Sequence, residues 1–236
     1  MDALTNDRPT DDTITFDLAS DPVRALNAEL HDPSGKVYEV LNPAGAHAVA
    51  AGIDRGISVD VRGHAGYYAA GMNDGGTVTI HGNSGTGVAE NMMSGTVRVT
   101  GDASQSAGAT AHGGLLVIGG SASMRCGISM KGVDIVVRGS VGHMSAFMAQ
   151  TGRLVVCGDA GEALGDSIYE ARLYVRGAVT SLGADCVEKE LRDEHREELV
   201  ALLAQAGMAD ADPAEFRRYG SARRLYTFDV DNAGEY

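Results

Sequence analysis

The sequence predicts an all-β core: a single-stranded, right-handed parallel β-helix of about seven 19-residue rungs over residues 57–183, with an N-terminal α/β cap and a C-terminal helix. Three observations carry this reading. Gly63, Gly82, Gly101, Gly120, Gly139, Gly158 and Gly177 follow one another at a constant interval of 19. Two residues before each stands a β-branched residue (Val61, Ile80, Val99, Ile118, Val137, Val156, Val175), and four before stands an aliphatic one (Val59, Val78, Val97, Leu116, Ile135, Leu154, Leu173). The alternation is that of a half-buried strand, and a fixed period of this length marks a solenoid whose coils bury their apolar faces only against one another.

The residue types select the coil. Two helices do not fit into 19 residues, 32 glycines in 236 argue against a helical repeat, and the leucine spacing of a leucine-rich repeat is absent. Identical positions therefore stack ~4.8 Å apart, and seven rungs make a rod of roughly 34 Å. His64, Asn83, Asp102, Ser121, Ser140, Asp159 and Ala178 come just after the glycines and form a mostly small, polar ladder at one corner. Such side chains hydrogen-bond turn backbone. The residues just before the glycines, Arg62, His81, Thr100, Gly119, Arg138, Cys157 and Arg176, read as outward-facing.

Around the repeat, residues 1–12 are polar and read as disordered. Residues 13–56 form the cap: Ile14 to Leu18 alternate like a strand, Asp21-Pro22 opens a short helix through about Leu30, and Lys36 to Leu41 is a second strand. This segment is the expected plug for the open N-terminal edge. Residues 184–236 hold a helix from Cys186 to about Ala206, with Val187, Leu191, His195, Leu199 and Leu202 or Leu203 on one stripe, expected to cap the other end. A further helical turn at Asp212-Pro213 leads to a basic stretch, and Leu225 to Val230 alternate like a strand.

Composition bounds the function. A hydrophobic content of 44% with no Trp and 5% aromatics predicts a thin aliphatic core, as a narrow coil requires. The net charge of −13 argues against nucleic acid or an anionic membrane as partner. No stretch reaches the length of a membrane span, and three cysteines without paired spacing fit a reducing cytoplasm.

Catalytic and metal constellations are not legible. The glycine runs fall on the repeat lattice and lack the helix that a phosphate loop needs. His31, His47, His64, His81, His112, His143 and His195 do not align as zinc ligands, and Cys126, Cys157 and Cys186 fall at three registers, so no catalytic, cofactor-binding or metal site is assigned. Cys126 and Cys186 read as apolar fillers and Cys157 as an exposable thiol; Glu90 and Asp166 mark places for chance acid–base pairs. The methionines Met72, Met92, Met93, Met130, Met144 and Met148 all fall in or beside the non-strand half of their rungs. Some fill the core; the others make a soft apolar surface suited to a partner protein. The candidate subunit interface is Met92, Met93, Met130, Met144 and Met148, joined by Arg217, Arg218, Tyr219, Arg223 and Arg224 of a docking tail running from Phe216 to Tyr226.

Gly87 to Val99 (GVAENMMSGTVRV), Cys126 to Gly132 (CGISMKG) and Gly142 to Val156 (GHMSAFMAQTGRLVV) resemble the GXGXG domain, the β-helix at the C-terminal end of the large subunit of glutamate synthase. Gly158 to Gly177 (GDAGEALGDSIYEARLYVRG) and Phe216 to Tyr226 (FRRYGSARRLY) are closer to the free-standing members of that family. The resemblance implies a structural, noncatalytic subunit of a split FMN-dependent enzyme, in first place N-methylglutamate synthase, which joins methylamine to glutamate and releases ammonia. FMN and an iron–sulfur cluster are then expected on partner chains, an FMN-binding subunit and a glutamine-amidotransferase-like subunit. An N-terminal nucleophilic cysteine is missing, since Asp2 follows Met1. Other readings are the β-helix of a split glutamate synthase or of another glutamine-dependent relative, a self-sufficient β-helix enzyme such as a polysaccharide lyase, and a formylmethanofuran dehydrogenase subunit. A self-sufficient enzyme needs carboxylates on an outer face, and the residues read as outward supply none.

Overall fold

The computed structural model of the chain describes residues 13–224. The reading of residues 1–12, the strand read at Leu225 to Val230 and the last two residues of the proposed tail lie outside them. The chain opens with β1 (Thr13–Asp17), α1 (Val23–His31) and β2 (Val37–Leu41). The repeat follows as β3 (Ser58–Val61), β4 (Thr77–Ile80), β5 (Thr96–Val99), β6 (Leu115–Ile118), β7 (Lys131–Val137), β8 (Thr151–Val156) and β9 (Arg172–Val175). All of these strands pair in parallel, each with the next, and the register puts Val59, Val78, Val97, Leu116, Ile135, Leu154 and Leu173 in one stack. Val61 through Val175 form the second stack, and both columns are buried. The parallel β-helix of seven turns is therefore the fold.

The corner ladder works through the backbone. Asn83 N–H donates to His64 Nδ1 at 2.9 Å, and Asp102 N–H to Asn83 Oδ1 at 2.9 Å. Ser121, Ser140, Asp159 and Ala178 each donate in turn to the side chain one rung back. Amides left over by the sharp bend after each glycine are thus satisfied by the preceding rung, which is why acceptor side chains recur there.

The wall opposite the strands is built differently. In each rung three residues, spaced by two, have positive φ: Tyr68, Ala70 and Met72; Gly87, Ala89 and Asn91; Ser106, Gly108 and Thr110; Met144, Ala146 and Met148, and likewise in the others. Their amides bond to neighbouring rungs above and below, as in Tyr68 N–H to Thr86 O, Ala70 N–H to Val49 O and Met72 N–H to Glu90 O. Left-handed backbone is costly for residues with a Cβ; here the bonds to both neighbouring rungs hold it. The middle position of each triplet faces the core and is Ala or Gly throughout. At Gly108 (φ +66°) a Cβ would lie 2.6 Å from Ile135 Cδ1 across the core, so a larger residue there requires the Ile135 side chain to move.

Both ends depart from expectation. At the N-terminus β1 and β2 do plug the coil, with Leu26 and Leu30 of α1 buried in the same core, but they also extend the sheet in parallel. Residues 42–57 form a further coil, bonded to the first rung through Gly45 N–H to His64 O, Ala48 N–H to Tyr67 O and Gly52 N–H to Gly71 O. Its register, Val40 with Val61, is offset by 21 rather than 19, so it falls off the glycine lattice.

The C-terminal segment needs two corrections. Cys186–Lys189 is a strand, β10, and the helix, α2, spans only Asp193–Ala206. Nor does α2 cap the open end: it lies on the outer face of the sheet, where Leu199, Leu202, Leu203 and Ala206 pack on Val117, Val136, Val155, Cys157 and Tyr174. The middle, outward residue of each strand explains why. It is Asp60, Thr79 and Arg98 in the early rungs and Val117, Val136, Val155 and Tyr174 in the later ones, so only the later rungs offer an apolar seat. Arg98 marks the border and donates to the carbonyls of Gln205 (2.7 Å) and Ala206 (3.1 Å), a cation on the negative end of the helix. The supposed docking tail is a strand as well: β11 (Arg217–Ser221) inserts antiparallel between β9 and β10. It covers the edge of β9 that the parallel sheet would leave open, and the sheet ends instead on the short strand β10.

Candidate interaction face

The non-strand wall carries most of the exposed apolar surface among the described residues. Tyr67 is 60% exposed, Met72 49%, Met93 48% and Met148 47%, with Met124 and Tyr169 also exposed. Met144, Ile128 and Phe147 are half-buried between them. Isolated exposed apolar side chains are ordinary, whereas a run of them on one wall of an otherwise charged rod makes that wall the candidate interaction face. Near one end a cavity of about 280 Å³ opens between Met148, Gln150, Ser167 and Tyr169, a seat for a protruding side chain.

The position of each methionine within its rung decides whether it reaches the wall. Ile53, Asn73, Met92, Ala111, Met130, Ala149 and Ile168 form one inward column, every member fully buried. Met92 and Met130 are therefore core residues and leave the interface set. Met93, one residue on, and Met148 and Met144 on the left-handed positions remain. Met72, Tyr67, Met124 and Tyr169 complete the face. The tyrosines and Met124 went unrecognised because the wall has no simple period-2 pattern, although the 19-residue lattice itself places them in it.

The basic segment belongs to the fold. Tyr219 is buried in the main core, Arg217 lies 6.0 Å above its ring and donates to Gly177 O at 2.9 Å, and Arg218 donates to Glu190 O at 3.2 Å. Arg223 pairs with Glu170 at 2.9 Å, and the exposed Arg224 donates its N–H to Asp185 at 3.0 Å. Arg217, Arg218 and Tyr219 are therefore part of strand β11 and not of a free docking tail, whereas Arg223 and Arg224 follow the strand and stay exposed.

Among the described residues, one expectation about the outer strand face is corrected. Carboxylates do stand on the outer strand face: Arg62 Nε donates to Glu39 at 2.7 Å, and His81 Nε2 lies 2.6 Å from Asp60 and 3.0 Å from Arg62. These groups are part-exposed and paired with one another, as solvated surface ions are. Asp166 bonds Ser167 Oγ and Ala184 N–H, a turn-holding role. Cys157 is buried beneath α2 rather than exposed, and burial pushes its thiol up; burial pushes the Cys126 and Cys186 thiols up to about 12. Such thiols are inert. Among the described residues no group of three or more His, Cys, Asp and Glu is arranged to hold a metal ion, and no helix is long and apolar enough to cross a membrane.

No protein-family model matches the chain. It is 64% identical over 225 residues to Protein GlxC of Rhizobium meliloti (strain 1021), an alignment that covers 94% of this chain and 99% of that protein. An identity of this size over essentially the whole of both sequences carries the repeat, the cap and the C-terminal sheet strand together. The chain belongs to the GlxC family.

Proposed function

We propose that this chain is the structural, noncatalytic β-helix subunit of an FMN-dependent, glutamate-synthase-like complex. Its methionine–tyrosine wall seats a partner subunit that carries the flavin. The observation that supports this reading most is the combination of a rod whose rungs are hydrogen-bonded to one another along its length with one apolar wall and inert thiols. The resemblance of the rungs to the GXGXG β-helix supplies the kind of complex, and N-methylglutamate synthase is the activity it points to. The partners are then an FMN-binding subunit and a glutamine-amidotransferase-like subunit, with any iron–sulfur cluster on the partner subunits as well.

Methionine suits such a wall because its unbranched, polarizable side chain adapts to a partner's contours. The test is co-expression of the chain with its neighbouring subunits and affinity recovery, comparing wild type with a Met93→Glu, Met148→Glu double variant. Both side chains are half exposed, so the variant folds with a nearly unchanged melting temperature and loses the flavin-carrying subunit. Normal recovery of a yellow complex by the variant would sink the reading. Assay of the wild-type complex with methylamine and with ammonia as alternative amines decides which synthase it is.

A further inference from the structure

The end of the solenoid where β9, β11 and β10 meet concentrates positive charge in a chain whose net charge is −13. Arg218 of β11 lies opposite Tyr174 of β9 on one side and opposite Lys189 of β10 on the other. Like charges directly opposed across a ladder are destabilising, so the Arg218–Lys189 pair is retained against a cost. Arg172 of β9 and Arg192, the residue that opens α2, complete the group around a cavity of about 270 Å³. Gly220 and Ser221 contribute to its lining.

Charge accounting shows what is missing there. The lining carries Arg172, Lys189, Arg192, Arg218 and Arg223 against the single carboxylate Glu170. Arg223 pairs with Glu170, Arg172 with Glu198 at 3.1 Å, and Arg192 with Glu194 at 2.9 Å. Lys189 and Arg218 make no ion pair among the described residues. One terminal nitrogen of Arg218 donates to Glu190 O, but its Nε is buried without an acceptor. Burial, reinforced by Arg172 and Arg192, holds the Arg218 guanidinium below its ordinary pKa. A buried charged donor without a partner is costly and calls for an acceptor.

We propose that this cleft is a binding site for a small dianion, whose two negative charges meet Arg218 and Lys189 while Arg172 and Arg192 flank it. Two uncompensated cations set the charge. The volume, below the ~300–1,000 Å³ of sites for larger ligands, limits the ligand to a dicarboxylate or phosphate-sized molecule. Both present paired oxygens that match a planar guanidinium.

The experiment titrates the full chain with succinate and, separately, with inorganic phosphate at fixed ionic strength, following heat and melting temperature. At least one of the two binds saturably and raises the melting temperature. Lys189→Gln weakens that binding roughly tenfold, the size of one charge-assisted contact. Gly220→Val keeps every cation but narrows the cleft: its Cβ meets Ala171 O and Lys189 Cγ at an ordinary 3.8 Å, and the γ-methyls beyond it take up space in the cleft, so binding is lost in the folded variant. Absence of saturable binding of both anions to the wild-type chain overturns the proposal. So does wild-type affinity in either folded variant, which would mean diffuse counterion attraction. Lys189 is partly exposed, so its substitution remains informative if the Gly220 variant does not fold.

Discussion

The Tyr174 hydroxyl of β9 donates a 2.5 Å hydrogen bond to Glu198 Oε1 of α2. The same carboxylate receives Arg153 at 3.3 Å and Arg172 at 3.1 Å through its other oxygen, and Arg153 is itself held by Asp134. Burial first, and the Glu198 bond second, push the Tyr174 hydroxyl well above its ordinary pKa, so it remains a donor throughout the neutral range. This carboxylate anchors the N-terminal half of α2 to the rod, as Arg98 anchors its C-terminal end and the leucines hold its length.

Replacing Glu198 with Ala removes the acceptor for three donors and leaves a largely buried hydroxyl and two arginines without it. The variant loses about 2 kcal/mol, a partly exposed site discounting the full value of charge-assisted bonds. Tyr174→Phe, which removes only one donor, costs about 1 kcal/mol. Urea denaturation of the two variants and of the double variant checks both numbers, and a non-additive cycle is expected because the groups touch.

A second prediction concerns the inward columns. Val137 and Val156 are register partners on adjacent rungs and both are fully buried. Val137→Asp places a carboxylate in an aliphatic column and costs roughly 3–5 kcal/mol, a large part of the stability of a domain this size. Thermal unfolding gives the answer directly: a soluble variant with the wild-type midpoint would contradict the register.

What the sequence made legible was what repeats. The glycine lattice placed seven strands, both core columns and the corner ladder, since each depends on a position that recurs every 19 residues. It missed the coil at residues 42–57, where the offset is 21, and it separated outward from inward methionines poorly, since the left-handed wall follows no strand or helix period. The seat for α2 was written in plain view as Val117, Val136, Val155 and Tyr174. That seat lies at the middle of each strand, one position before the inward β-branched residue, and not at the residue before each glycine. Arg217 to Tyr219 looked like a docking tail because arginine and tyrosine favour interfaces; the interface they make is with their own sheet. The opposed cations Arg218 and Lys189 lie 29 residues apart in sequence and only strand pairing brings them together.

A third prediction is a dependence on pH. His195 is buried at the start of α2, where its Nδ1 accepts the N–H of Arg192 at 3.2 Å. Burial first, then the cations Arg218 and Arg192, lower its pKa below 6.5, against a smaller opposing pull from Glu194. The unfolded chain therefore binds a proton that the folded chain does not, in the window between the lowered value and 6.5. Stability contributed by neutral His195 is fully present above pH 6.5 and is lost as pH falls through that window. His195→Gln flattens this part of the stability profile; urea midpoints measured from pH 7.5 down to pH 5 resolve the difference in slope, and parallel profiles would refute the assignment.

The last prediction follows from β11. Truncation after Ala211 removes Phe216 from beneath α2 and Tyr219 from the main core, both buried. It also withdraws the strand that separates β9 from β10, leaving the backbone of β9 unpaired on that side. An open parallel edge at the end of a stacked sheet is a template for association with another chain. Losing two buried aromatics costs about 3–5 kcal/mol for each as a large-to-small core change, more than the truncated end can absorb while staying docked. The truncated chain therefore frays from β9 backwards, exposes α2, and self-associates. Size-exclusion chromatography shows higher-order species, and hydrogen exchange shows protection lost in β9 and α2 while β4 to β6 stay protected, because each rung of a solenoid leans only on its neighbours. A monomeric truncated chain with wild-type protection in β9 would mean that β11 adds nothing to the rod and that the segment is free to serve a partner.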